Sequence, residues 1–245
     1  MKTFTLDLAN ENVTLTCYIP DFSKEMPHMN KRRAILILPG GAYEFCSDRE
    51  AEPVAFKFLG KGYAAFILRY SVKEKSAFPQ PLDDAQQAMR IIRERAEEWY
   101  VDPQKVVVIG FSAGGHLAAA LSTMATEKPN AQILGYPCIL EEIGKILANP
   151  IPSLEKEVNK DTPPAFIFAS AEDSTVPIIN SLEYAKALDK NKIPFELHIF
   201  SQGYHGYSVA EPTVFTKEKD WAYNKDNSAW FELCEKFLDR TFGIY

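Results

Sequence analysis

The stretch "VVVIGFSAGGHLAAAL", residues 106 to 121, constrains this chain more than any other. A run of apolar β-formers breaks into glycines around one serine and then takes on the Ala- and Leu-rich composition of a helix. Gly110, Ser112 and Gly114 make G-x-S-x-G at that strand-to-helix junction. Glycines on both sides permit a sharp turn, and such a turn pushes the serine hydroxyl out at the carboxyl edge of a sheet. It also sets the first amides of a helix beside the hydroxyl, where developing negative charge is stabilised. The spacing predicts an exposed nucleophile.

The surrounding segments predict the sheet. "TFTLDL" and "VTLTCYIP" alternate and are separated by the turn-like "ANEN", as an antiparallel hairpin requires. "AILILP" and "YAAFILRY" are continuous apolar runs, which suit strands buried on both faces of a parallel sheet. Between them "SDREAEPVAFKFLGKG" reads as a helix with Ser47 or Asp48 as N-cap and Gly60 and Gly62 at its end. The alternation continues through "LDDAQQAMRIIRERAEEWY" (helix), "KVVVIGF" (strand), "AGGHLAAALSTMAT" (helix), "QILGYP" and "AFIFAS" (strands), "SLEYAKALDKN" (helix), "FELHIF" (strand) and "DNSAWFELCEKFLDRTFG" (helix). This is an α/β pattern with a mostly parallel sheet and helices on both faces. One domain over residues 1–245 is expected, with a small cap insertion at 138–162 over the carboxyl edge.

Hydrophobic residues make up 46% of the 245 and charged residues 24%, enough for a large core. A net charge of -6 with interspersed signs offers no basic stripe for a phosphate backbone, which argues against nucleic acid as a partner. The amino-terminal residues lack a signal-peptide apolar core, and no segment reaches the roughly 18 apolar residues of a membrane span. A cytoplasmic protein without membrane association is expected. Cys17, Cys46, Cys138 and Cys234 lie far apart, so neither a thiolate metal site nor a disulfide framework is predicted.

A serine hydroxyl needs a base, usually an imidazole held by a carboxylate. Of four histidines, His28 lies in an early polar loop, His116 on the helix after Ser112, and His198 within "FELHIF". His205, in "SQGYHGYS", follows the last strand in a loop framed by Gly203 and Gly206, and is placed to reach Ser112. For the acid, "AFIFASAEDSTVP" puts Asp173 just past a buried strand, with Glu172 as the fallback. The loop "PGGAYEF" predicts a second oxyanion donor, Gly40 or Gly41, beside the N–H of Ala113. Tyr43, Phe45, Tyr136, Tyr204 and Tyr207 fall near the same loops. All five are candidates for stacking on sugar rings, with packing between loops and core as the alternative.

The segments "LPGGAYEFCSDREAEPVAFKFLGKGYAAFILRYSV", "FPQPLDDAQQAMRIIRERAEEWYVDPQKVVVIGFSAGGHLAA", "EDSTVPIINSLEYAKAL" and "GYHGY" together resemble α/β-hydrolase-fold serine esterases. More narrowly, they are similar to the small bacterial acetylxylan and carbohydrate esterases. The resemblance implies an eight-stranded sheet with an antiparallel second strand, and a triad of Ser112, Asp173 and His205. It departs from the hormone-sensitive-lipase type, which carries His where this chain has Pro39 before the two glycines. The expected activity is removal of short acyl groups, acetyl first, from a small-molecule ester such as an acetylated xylo-oligosaccharide, with no metal or cofactor required. A general short-chain esterase or lipase, a feruloyl esterase and, more remotely, a serine peptidase or a silent binding module are the alternatives. A monomer and a homodimer are both open.

Overall fold

The structure, a computed structural model, describes residues 1–244. Its strands are β1 (Lys2–Asp7), β2 (Thr14–Ile19), β3 (Arg32–Leu38), β4 (Ala64–Arg69), β5 (Val101–Phe111), β6 (Ala131–Gly135), β7 (Ala165–Ser170) and β8 (Phe195–Phe200). Its helices are α1 (Glu52–Leu59), α2 (Gln80–Glu94), α3 (Ala113–Thr123), α4 (Ile179–Lys190), α5 (Glu218–Asn224) and α6 (Trp230–Phe242). The strands form one eight-stranded sheet in the order β1-β2-β4-β3-β5-β6-β7-β8. β2 runs antiparallel to both neighbours, and the remaining pairs are parallel.

The apolar runs follow from this layering. Every residue of β3 is buried, because alternate side chains enter two different cores. Ala34, Leu36 and Leu38 join Met89 of α2, Leu117 of α3 and Leu188 of α4 on one face. Ile35 and Ile37 join Phe58 of α1 and Trp230 of α6 on the other. A strand covered by helices on both sides has no polar face, so it reads as an uninterrupted apolar run. β1, on the sheet's edge, has no buried residue and alternates instead between half-buried and exposed.

The strand order also places the functional edge. From β3 the chain turns to β4 on one side and later returns to β5 on the other, and the crevice opens where the order reverses. Leu38 pairs with Gly110 at the carboxyl ends of β3 and β5, so the loop after β3 lies against the turn after β5.

Several boundaries differ from the sequence expectation. β5 begins at Val101 rather than Lys105, since its register against β3 slips between Arg32 and Ala34 and the irregularity accommodates Pro103. α1 begins at Glu52 behind a 3-10 turn, Asp48–Glu50, so neither Ser47 nor Asp48 caps it and Ala51 takes that position. α5 falls in a segment assigned no element from sequence. Residues 138–162 hold 3-10 turns at Glu141–Ile146 and Leu154–Lys156 and no α-helix, consistent with Pro150 and Pro152 between them. Among the described residues no helix is long and apolar enough to cross a membrane.

Candidate active site

Ser112 occupies the turn between β5 and α3 with φ 54° and ψ -119°, a left-handed conformation costly for a residue with a side chain. Its neighbours make the turn possible. A Cβ on Gly114 would lie 2.1 Å from the Leu38 carbonyl oxygen, and one on Gly110 would lie 2.0 Å from that of Gly114. Only glycine fits either position, so α3 starts directly against the end of β3. The Ser112 N–H donates to the Gly135 carbonyl, and its own carbonyl accepts from Cys138 N–H.

His205 arrives from the loop after β8. Its Nε2 lies 2.8 Å from Ser112 Oγ and its Nδ1 lies 2.6 Å from Asp173 Oδ2. A carboxylate only accepts, so Nδ1 carries the ring proton and Nε2 is free to accept from the serine hydroxyl. Asp173 is fixed in turn, because its Oδ1 accepts from the N–H groups of Thr175 and Val176, both at 2.9 Å. The histidine loop is held by residues that no sequence signal marked. Asn224 Oδ1 accepts from Tyr204 N–H at 2.8 Å, and Asn227 Nδ2 donates to the Gln202 carbonyl at 3.0 Å. Both asparagines are buried; Asn224 ends α5, where its Nδ2 also donates to the Asp220 carbonyl, and Asn227 lies in the 3-10 turn that follows.

The other candidates stand elsewhere. Glu172 accepts from the Tyr223 hydroxyl, away from the imidazole. His198 pairs with Glu196, and His28 sits in a 3-10 turn, Pro27–Asn30. His116 is fully buried between the Tyr43 hydroxyl (2.9 Å) and the Pro152 carbonyl (3.1 Å). Burial pushes the thiol of Cys46 up to about 11 and that of Cys138 up to about 12, so neither supplies a thiolate at neutral pH. Among the described residues no cluster of His, Cys, Asp and Glu is placed to hold a metal ion.

The environment of His116 carries a pH prediction. Burial holds its pKa down to about 4 from an ordinary 6.5, against the opposing pull of the Pro152 carbonyl. Between those values the unfolded chain binds the proton that the folded chain refuses, so stability rises with pH. It is lost as pH falls from 6.5 toward 4, by about 3 kcal/mol at most. Melting temperatures across that window should fall less steeply in His116→Gln than in the wild type. An unchanged acid slope would remove His116 as its source.

The glycine loop narrows the choice of oxyanion donor. Gly40 N–H is already engaged, donating to Glu50 Oε2 at 2.8 Å, which corrects its candidacy. Gly41 follows with φ 126°, then Ala42 and Tyr43 with φ 56° and 60°, a run of left-handed residues. The run is held by Glu44 N–H to the Gly41 carbonyl, Lys73 N–H to that of Tyr43 and Ala148 N–H to that of Ala42. Gly41 N–H and the N–H of Ala113, the first residue of α3, remain as the candidate donors.

Ser112 and His205 open into a cleft of about 420 Å³ walled by Phe45, Ile146, Leu147, Ser174 and Thr175. A larger hollow, about 730 Å³, lies where β3 and β5 begin and contains neither residue. The aromatic candidates need correcting. Tyr43, Tyr136 and Tyr207 are each about 1% exposed, behind the catalytic loops, and cannot meet a sugar ring. Tyr204 is 54% exposed but stacks on Tyr223, with ring centroids 4.6 Å apart, outside the cleft wall. Phe45 is the aromatic side chain that lines the cleft and is exposed to it.

Comparison with known proteins agrees with the fold. The family model BD-FAE matches residues 21–145, just over half of the chain, and the prolyl oligopeptidase family model matches residues 148–229. The chain is 33% identical to an acetylxylan esterase of Xylanibacter ruminicola over 84% of its own length and 46% of that protein. It spans less than half the length of the first curated relatives it matches. Among solved structures, it is similar to the alpha/beta hydrolase MGS-M1 from a Medee basin deep-sea metagenome library, with 43% identity and a TM-score of 0.94 over 100% of this chain and 99% of the other. It also superposes on an acetyl ester-xyloside bifunctional hydrolase from Caldicellulosiruptor lactoaceticus, with 35% identity and a TM-score of 0.80 over 98% and 92% of the two chains.

Proposed function

The chain belongs to the BD-FAE family of α/β-hydrolases, and from that premise we propose that it is a serine carboxylesterase removing short acyl groups, acetyl above all, from esterified sugars. The observation that carries this reading is the hydrogen-bonded line from Asp173 through His205 to Ser112 at the mouth of the cleft.

Each part has a role in acyl transfer. Ser112 Oγ attacks the ester carbonyl carbon while its proton passes to His205 Nε2, and the carbonyl oxygen becomes an oxyanion facing the N–H groups of Gly41 and Ala113. The tetrahedral species collapses, His205 returns the proton to the departing alcohol, and Ser112 is left acylated. Water then repeats the attack with the same base and releases the acid. Asp173 stabilises the imidazolium that forms twice in the cycle.

The walls of the cleft support a small acyl group. Phe45, Ile146 and Leu147 give the cleft an apolar side, which suits a small acyl group, and its open mouth leaves room for a sugar alcohol. The acetylxylan esterase and the acetyl ester-xyloside bifunctional hydrolase to which the chain is similar support the same class. The prolyl oligopeptidase match over 148–229 takes in Asp173 and His205, and so keeps amide cleavage as a second reading.

Acetate release from acetylated xylo-oligosaccharides, measured beside p-nitrophenyl acetate, p-nitrophenyl butyrate, methyl ferulate and an aminoacyl amide, tests the assignment. Sugar deacetylation is expected, with acetyl preferred over butyryl by about tenfold or more in kcat/KM. Cleavage of the synthetic esters alone would leave an esterase and overturn the sugar assignment. Amide cleavage faster than either would favour the peptidase reading.

A further inference from the structure

The carboxylate of Glu50 sits where three loops meet. It comes from the 3-10 turn Asp48–Glu50 and is 4% exposed. Its Oε2 accepts from Gly40 N–H in the loop after β3, at 2.8 Å. Its Oε1 accepts from the Tyr136 hydroxyl, in the loop after β6, at 2.6 Å. That hydroxyl oxygen accepts in turn from Ser208 N–H, in the loop after β8, at 2.9 Å. The Tyr136 ring stands edge-on to the His205 imidazole, with centroids 4.9 Å apart.

From this convergence we infer that Glu50 is a positioning residue for acyl transfer, its carboxylate holding the oxyanion loop and the histidine loop in one register. The inference rests on the esterase reading above. A buried carboxylate is costly unless it is paired, and among the described residues no lysine or arginine forms an ion pair with Glu50. An apolar side chain in its place would strand two buried donors, Gly40 N–H and the Tyr136 O–H. What a carboxylate uniquely offers here is acceptance at both oxygens. Gly40 N–H and the Tyr136 O–H are both donors, and burial beside Glu50 keeps the phenol protonated by raising its pKa. Tyr136 cannot reverse its role without leaving its own hydrogen unsatisfied, because its oxygen is engaged by Ser208 N–H.

The effect on the reaction is indirect. Anchoring the Gly40 amide fixes the start of a strained run, Gly41 to Tyr43, and so aims the Gly41 N–H at the oxyanion. That charge exists only in the transition state, so loosening the anchor should lower kcat and leave KM nearly unchanged.

The test compares Glu50→Gln, Tyr136→Phe and the double variant with wild type in the full chain, using p-nitrophenyl acetate. Rates are normalised to the fraction of Ser112 titrated by a p-nitrophenyl phosphonate, which removes misfolded protein from the comparison. Glu50→Gln keeps one acceptor but turns an amide N–H toward the phenol. It is expected to lower kcat about 10- to 100-fold, less than or near the loss of a whole oxyanion donor, with KM within about threefold. The inhibition constant of phenylboronic acid, whose tetrahedral adduct fills the oxyanion site, should rise by a similar factor. The double variant should lose little beyond Glu50→Gln, because both changes break one link. A kcat within about threefold of wild type, a loss carried by KM, or an unchanged boronate constant would overturn the inference. Failure of the esterase reading would show separately, as wild-type protein that does not turn over the ester.

Discussion

Ser112→Ala is expected to lower the turnover of p-nitrophenyl acetate by about 10⁵- to 10⁶-fold while leaving the fold in place. The reason for the size is that the hydroxyl is the only atom removed and also the atom that bonds to the acyl carbon. The reason for the intact fold is local. The turn depends on Gly110 and Gly114, which the substitution leaves alone, and on backbone hydrogen bonds of residue 112 with Gly135 and Cys138. Alanine and serine tolerate φ 54° about equally badly, so the strain of the turn is unchanged. The lost hydrogen bond to His205 faces the cleft, and its removal should shift stability by no more than about 1 kcal/mol. Turnover and melting temperature measured on one preparation check both halves. Retention of more than about a hundredth of wild-type activity in an undamaged fold would remove Ser112 as the nucleophile.

The features legible in the sequence are those set by local rules. Continuous apolar runs mark β3, β4 and β7 because each is covered on both faces. The glycine pentad marks the turn because no other residue fits where α3 meets β3. His205 emerges by elimination, since only its loop follows the last strand between two glycines. What the sequence leaves dark depends on partners far away along the chain. Glu50 reads as an acidic residue near a helix start, and its partner Tyr136 is 86 residues distant. Gly40 and Gly41 look interchangeable until Glu50 occupies one of the two amides. The tyrosines near the loops carry no mark of direction, because a ring packed under a loop and one lying over it have the same sequence neighbours. The asparagines that brace the histidine loop sit beside α5, a short helix whose seven residues carry too little apolar periodicity to announce it.

Asp173→Asn should cost about 10⁴-fold in kcat at neutral pH with little change in KM, the loss expected when the base is held in the wrong tautomer. The surroundings of the carboxylate fix which way the new amide turns. Oδ1 accepts from the N–H groups of both Thr175 and Val176, so the amide must keep its oxygen there and present its NH₂ group to His205. An N–H donor facing Nδ1 forces the ring proton onto Nε2. Nε2 then donates to Ser112 Oγ and cannot take the serine proton. Geometry is preserved and the base is disabled, which separates this variant from one that merely loosens the loop. Glu172→Gln provides the contrast, because Glu172 pairs with Tyr223 outside the imidazole's reach and its kcat should stay within about twofold of wild type. Steady-state kinetics on the two variants decide between the neighbouring carboxylates. A larger loss in Glu172→Gln than in Asp173→Asn would transfer the orienting role from Asp173 to Glu172, whatever the hydrogen bond at 2.6 Å suggests.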